Sequence, residues 1–139
     1  MMDKQLRGKW GEDWVRFRYE TLGYRLLNQR LRLARCELDL LFKKGDIMVA
    51  VEVKTRRLTH FLPDAVYWSL AQRNRAWFGL RELAFKCMDV NEFRLDFAAV
   101  HYSGSQRMMQ VLEGGKAFKF KPHKAAFCLN NASSVSIAP

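Results

Sequence analysis

Three residues in the middle of the chain have the types and spacing that phosphoryl chemistry needs: Asp39, Glu52 and Lys54. Two carboxylates can hold a hard divalent cation that acidifies a water, and an ammonium can position that water or offset charge around phosphorus. They lie on two strand-like runs, ELDLLF at 37–42 and IMVAVEVK at 47–54, joined by Lys43-Lys44-Gly45-Asp46, which has the residues of a tight turn. Side chains alternate across a strand, so Leu38, Leu40 and Phe42 share one face while Glu37, Asp39 and Leu41 share the other. The second run divides in the same way, Ile47, Val49, Val51 and Val53 against Met48, Ala50, Glu52 and Lys54. Folding the hairpin about Lys44-Gly45 pairs Phe42 with Ile47, Leu40 with Val49 and Leu38 with Val51, which makes the apolar faces coincide. That register sets Asp39 opposite Ala50 and diagonal to Glu52, roughly 7–8 Å away between backbones, with Glu37 directly opposite Glu52. Facing carboxylates repel unless a cation or a raised pKa relieves them, which makes Glu37 an additional acidic candidate. The plain alternative is the solvated face of an amphipathic hairpin. Against it, Leu41, Met48 and Ala50 on that face are apolar, so the acids gather at one end, where a covered sheet meets a cleft.

The elements that must position this hairpin are legible on either side of it. From Asp3 to about Leu22 the pattern is helical, with Leu6, Trp10, Trp14, Phe17 and Thr21 on the main apolar side. Gly8, Gly11, Val15, Tyr19 and Leu22 form a weaker side whose glycines would let the helix approach a sheet closely, and Gly23 ends it. Tyr24 to Leu33 reads as a strand before the hairpin. Pro63-Asp64 suits the start of a helix running to about Phe85, because proline fits a first helical position and aspartate the helix dipole. Phe93 to Tyr102 is another strand, with Arg107 to Leu112 pairing back across Ser103-Gly104-Ser105. The order α-β-β-β-α-β predicts an α/β sandwich, a mixed sheet flanked by helices. After Gly114-Gly115 the character changes to basic and aromatic, KAFKFKPHKAAF, and then to polar NNASSVSIAP, whose last ten residues are expected to be disordered. The expected organisation is one domain over 1–118 and a tail over 119–139. Lys119-Phe120-Lys121 reads equally as a strand with a basic edge or as a grip on single-stranded nucleic acid.

Composition narrows the partners. With 24 Lys+Arg against 14 Asp+Glu, the 139 residues carry a net charge of +10, which favours a polyanion such as nucleic acid. No apolar run approaches the roughly 20 residues of a spanning helix, and MMDKQLRGKWGEDW lacks the apolar core of a signal peptide, so a cytoplasmic protein is expected. Cys36, Cys87 and Cys128 form no CxxC pair, and His60, His101 and His123 have no metal-ligand spacing, which argues against a disulfide framework or a zinc site. Arg56 and Arg57 follow Lys54 directly, where they could bind phosphates flanking the reacting one or serve as solvated charge. Trp10 and Trp14 suit core packing or a homodimer contact better than base stacking.

At these residues the chain resembles the YraN family of predicted endonucleases, within the PD-(D/E)XK nuclease superfamily. The likeness rests on RGKWGED at 7–13, CELDLL at 36–41, VAVEVKTR at 49–56 and FRLDFAAV at 93–100, with a weaker echo at Ala117-Phe118. It implies a restriction-endonuclease-like core and a nuclease that uses Mg²⁺ or Mn²⁺ to hydrolyse phosphodiester bonds in DNA, with branched or structured DNA among the candidate substrates. It also implies roles: Asp39 and Glu52 as metal ligands, Lys54 as the catalytic lysine, and Glu12 as a further catalytic and metal-binding acid from the first helix. The alternative is a non-catalytic nucleic-acid-binding protein that retains the fold. Three positions depart from the family pattern. Cys36 replaces a usual glycine, Arg30 a usual asparagine, and the helix after Pro63 lacks a lysine near Ala71-Gln72, a loss that Arg73 could cover.

Overall fold

A computed structural model describes residues 3–57, 68–87, 89–103 and 106–119. Helix α1 (Lys4–Thr21) stops at Gly23, whose φ of +89° is the left-handed conformation that glycine adopts without penalty. The amide of Tyr24 donates to the Tyr19 carbonyl and that of Gly23 to the Glu20 carbonyl, the paired bonds of a Schellman motif. Strands β1 (Arg25–Arg32), β2 (Glu37–Lys44) and β3 (Ile47–Arg57) then form an antiparallel meander. Helix α2 (Leu70–Ala84) crosses over to β4 (Glu92–Ser103), which runs parallel to β3, and β5 (Gln106–Lys119) pairs antiparallel with β4. The result is a mixed five-stranded sheet in the order β1-β2-β3-β4-β5. This is the α/β architecture expected, and the strand expected at 107–112 continues through Gly114-Gly115 to Lys119. Residues 120–139, most of the expected tail, lie outside the described residues.

Among the described residues, each face of the sheet carries one helix and one apolar cluster. Val49, Val51, Leu40 and Phe42 pack with Val15 and Tyr19 of α1, whereas Met48, Ala50 and Leu41 pack with Ala76, Leu80 and Leu83 of α2. β3 is therefore covered on both sides, as a strand beside a parallel neighbour usually is. Each fully buried aliphatic or phenyl side chain contributes roughly 1.5–3 kcal/mol.

Four expectations change in detail. First, α1 buries its smaller side: Gly11, Val15 and Tyr19 are buried, while Leu6 and Phe17 stay 60% and 64% exposed. The cause is close approach. A Cβ built on Gly11 would lie 1.8 Å from the Thr55 hydroxyl, so only glycine lets the helix sit this near β3. Gly11→Ala should therefore cost about 1–3 kcal/mol by overpacking. Gly8→Ala, where nothing lies within 4 Å, should be neutral or stabilise by up to about 1 kcal/mol. Urea denaturation of the two variants checks this contrast.

Second, the hairpin turns on Gly45-Asp46, so that Lys44 faces Ile47, Phe42 faces Val49 and Leu40 faces Val51. Gly45 has φ +60° at the first central position, as a two-residue hairpin with a type II′ turn requires. The pairing is two residues from the expected one and keeps the same faces together. Third, Leu38 packs on the α2 side with Leu41, away from Leu40 and Phe42. The alternation breaks where β1 contains Arg30 at φ +49° and the ladder skips from Gln29↔Leu40 to Leu31↔Leu38.

Fourth, α2 begins at Leu70. Ser69 accepts a hydrogen bond from the Gln72 amide and the Gln72 side chain accepts one from the Ser69 amide, a capping box that fixes the start. Pro63-Asp64, the expected start, lies outside the described residues. Trp68 is not helical.

Candidate functional site

The β2–β3 ladder ends at Leu40↔Val51, and just beyond it a side chain takes over from the backbone. Asp39 Oδ2 accepts the Val53 amide at 2.8 Å, which pins its carboxylate against the segment that carries Glu52. The same register continued by one pair sets Asp39 across from Glu52, where sequence reasoning had placed Glu37. Glu37 instead pairs with Arg32 on β1, with 3.4 Å between the charged groups. Lys54 follows Glu52 on the same face of β3.

Glu52 is the strained group of the site. Its Oε1 is buried and has no hydrogen-bond partner among the described residues. Burial first, and the Asp39 charge second, push its pKa up to about 8 from an ordinary 4.5, with Lys54 pulling the other way. Asp39 is also raised, mainly by burial and against the pull of the Val53 amide and Lys54. Two adjacent carboxylates that cannot both ionise comfortably, one with an unmet oxygen, are a donor set that fits a divalent cation. Glu37, Glu52 and Lys54 line a cavity of about 190 Å³, closed by Gln72, Arg75 and Ala76 of α2, with Trp68 as one wall.

A pH dependence follows from the raised Glu52. Below about pH 4.5 both the folded and unfolded states hold its proton. Between 4.5 and about 8 the folded state holds a proton that the unfolded chain releases, so stability declines as pH rises through that window. Thermal melts in EDTA should therefore show Glu52→Gln more stable than the parent at pH 8 and close to it at pH 4.5.

Glu12 lies on α1 with its side chain largely buried, its pKa raised by burial and then by the charge of Asp39, and its carboxylate pairs with Arg30 at 3.3 Å. Among the described residues, no three His, Cys, Asp or Glu side chains converge as one metal cage, so Glu12 does not join Asp39 and Glu52 there. Arg56 and Arg57 are exposed at the end of β3. Arg73 donates to the Trp68 carbonyl at 3.2 Å and lies over the Phe97 ring, tying down the entry to α2. Arg75, which sequence reasoning passed over, is the α2 arginine on the cavity. Its signal was helical spacing: Gln72, Arg75, Ala76 and Gly79 recur at three and four residues from the capping box. Trp10 and Trp14 stack on each other at 6.1 Å with Arg107 over both rings, and they flank the α1-side core.

Two of the departures have physical accounts. A Cβ on Gly79 would lie 2.5 Å from the Cys36 sulfur, so α2 offers a notch that this cysteine fills. Burial first, and the charge of Glu52 second, raise the pKa of the Cys36 thiol. Arg30 occupies a left-handed position, which asparagine tolerates better than arginine does.

Sequence reasoning also passed over Asp96. It is completely buried, accepts the Tyr19 hydroxyl at 2.6 Å, and takes both Nε and Nη2 of Arg94 at 2.8 and 3.0 Å. Arg94 continues to the Tyr24 hydroxyl, joining α1 to the middle of β4.

A family model described as uncharacterised protein family UPF0102 matches residues 11–100, a span that holds Glu12, Asp39, Glu52, Lys54, Arg75 and Asp96. The chain belongs to UPF0102, the YraN family. It is similar to the UPF0102 protein of Syntrophus aciditrophicus, 36% identical over 101 residues, which covers 71% of this chain and 80% of that one. It is likewise similar to the UPF0102 proteins of Alkaliphilus metalliredigens, 37% identical over 71% of this chain and 87% of the relative, and Flavobacterium johnsoniae, 33% over 76% and 89%. Among solved structures, Pyrococcus furiosus SfsA in complex with Ca²⁺ is similar at a TM-score of 0.40 and 18% identity, over 83% of this chain. The chain spans 64% of that SfsA chain. No helix among the described residues is long and apolar enough to cross a membrane.

Proposed function

We propose that this UPF0102 chain is a metal-dependent endonuclease that hydrolyses phosphodiester bonds in DNA at the Asp39–Glu52–Lys54 site. The observation that carries the reading is the buried pair of carboxylates, with Glu52 Oε1 unmet, beside a lysine at the lip of a cavity. Asp39 and Glu52 would hold Mg²⁺ or Mn²⁺, two carboxylates being a usual protein share for such an ion. When bound, the cation supplies acidification of water and neutralisation of phosphate charge.

The chain's own residues do the rest. The Val53 amide holds Asp39 in place, so the acid needs no reorganisation when substrate arrives. Lys54 stands beside both carboxylates, where its ammonium can orient a water or meet charge developing on a phosphate oxygen. Arg75, on the far side of the cavity, and Arg56 and Arg57 beyond Lys54 offer cationic contacts to flanking phosphates. The free thiol of Cys36 fits a reducing compartment such as cytoplasm.

One observation favours a second reading, a binding protein that cleaves slowly: Glu12 is engaged by Arg30 and contributes no third ligand. Incubation with labelled duplex, nicked, flapped, branched and single-stranded DNA in Mg²⁺, Mn²⁺ or EDTA separates the two. Cleavage of at least one substrate that EDTA abolishes is expected; binding to all of them without metal-dependent cleavage would favour the binder. Affinity for DNA should fall steeply with salt and vary little with sequence, because a net charge of +10 acts mainly on phosphates. Fluorescence anisotropy between about 50 and 200 mM salt measures that slope.

A further inference from the structure

We propose that Arg30 is a built-in cation that holds Glu12 out of the metal site, so that the site takes a divalent ion on Asp39 and Glu52 alone. The inference rests on the metal-site reading above and adds a determinant of how tightly the metal is held. Three observations carry it. Arg30 is the only described non-glycine residue with a positive φ, +49°, inside strand β1 and opposite the point where the ladder skips Asp39. A long β-strand arginine has no intrinsic reason to adopt that conformation, which costs energy for any residue with a Cβ. Yet this placement brings its guanidinium to 3.3 Å from the Glu12 carboxylate, a group only 14% exposed that would otherwise face Asp39 uncompensated.

The same geometry explains why the acids do not converge. Glu12 and Asp39 are close enough for their charges to act on each other, but Glu12 is turned to Arg30 and no three-carboxylate cage forms among the described residues. The charge of Arg30 also reaches Asp39 directly, lowering the negative potential that a divalent ion meets. Removing it would act in two ways: Glu12 is released as a third acid, and one positive charge leaves the neighbourhood of the ion.

Binding of Mn²⁺ alone to the full chain, followed by calorimetry or by electron paramagnetic resonance of free Mn²⁺, tests this without reference to activity. Arg30→Asn should bind Mn²⁺ about tenfold more tightly than the parent. Most of the gain should vanish in Arg30→Asn/Glu12→Gln. Arg30→Gln, which removes the charge without asparagine's turn preference, should show the same gain and guards against misfolding of the first variant. Parent-like affinity in both Arg30 variants would overturn the proposal. So would a gain that persists in full without Glu12, because the effect would then be only that of the lost charge. A parent chain that binds Mn²⁺ no better than Asp39→Asn does would contradict the metal site itself, a failure separable from that of Arg30.

Discussion

Asp39→Asn and Glu52→Gln are expected to abolish cleavage, whereas Lys54→Ala should abolish turnover and spare the metal. Each amide keeps its side chain's size and removes one negative ligand of the two available, so Mn²⁺ affinity should drop at least about 100-fold. Excess metal should restore part of the activity of these two variants. Lys54→Ala leaves both carboxylates and the Val53–Asp39 bond in place, so metal binding should hold or tighten as a nearby positive charge is lost. Its cleavage rate should fall about 10²–10³-fold, the usual cost of removing one preorganised charge-stabilising donor, and added metal should not restore it. DNA affinity should hold or rise in the two ligand variants, because the site then repels phosphate less. Single-turnover cleavage at rising Mn²⁺, set beside Mn²⁺ titrations of the same preparations, distinguishes the two classes. Rescue of Lys54→Ala by metal would move that lysine from the chemistry to the binding of the ion.

The largest effect on stability is expected at Asp96, which pairs with Val51 beside Glu52 but faces α1 on the other side of the sheet. Its carboxylate is completely buried and satisfied by Arg94 and the Tyr19 hydroxyl. Asp96→Ala strands a largely buried guanidinium and should cost about 3–5 kcal/mol, a large share of the roughly 5–15 kcal/mol that holds a domain together. Tyr19→Phe removes one hydrogen bond, keeps the stacking on Phe42 at 4.8 Å, and should cost only about 1 kcal/mol. Replacing Arg94 and Asp96 together by Met and Leu should recover much of the Asp96→Ala loss, because the desolvation cost of both charges disappears with them. Urea midpoints for the series give the order. If Asp96→Ala were as stable as the parent, the network would be incidental to the fold.

The elements that positioned this site were readable because local chemistry named them. Gly23 stops α1 and Gly45 turns the hairpin, each at a positive φ, and the apolar alternation of 38–42 and 47–53 marks β2 and β3. The errors share a physical origin in information that hydrophobic pattern does not hold. A two-residue slip of the hairpin leaves every face unchanged, so the pattern could not choose between Phe42↔Ile47 and the observed Phe42↔Val49. The buried side of α1 was decided by the approach of Gly11 to Thr55, while the larger apolar residues pointed to the other side. Arg30 carries no local sign of a left-handed residue. Asp96 is a charged residue in an apolar strand, and only the fold reveals Arg94 and Tyr19 beside it. The Asp39–Glu52–Lys54 grouping survived the register error because a slip of two moves Asp39 along the same face, from diagonal to Glu52 to directly across from it.

The most direct test of the central claim is whether one purified preparation of the parent chain cuts DNA with Mg²⁺ and stops in EDTA, beside Glu52→Gln prepared identically. The proposed site predicts metal-dependent cleavage by the parent and none above background by the variant, with both proteins binding the same DNA. Equal cleavage by the two, or cleavage by the parent that EDTA leaves untouched, would contradict it.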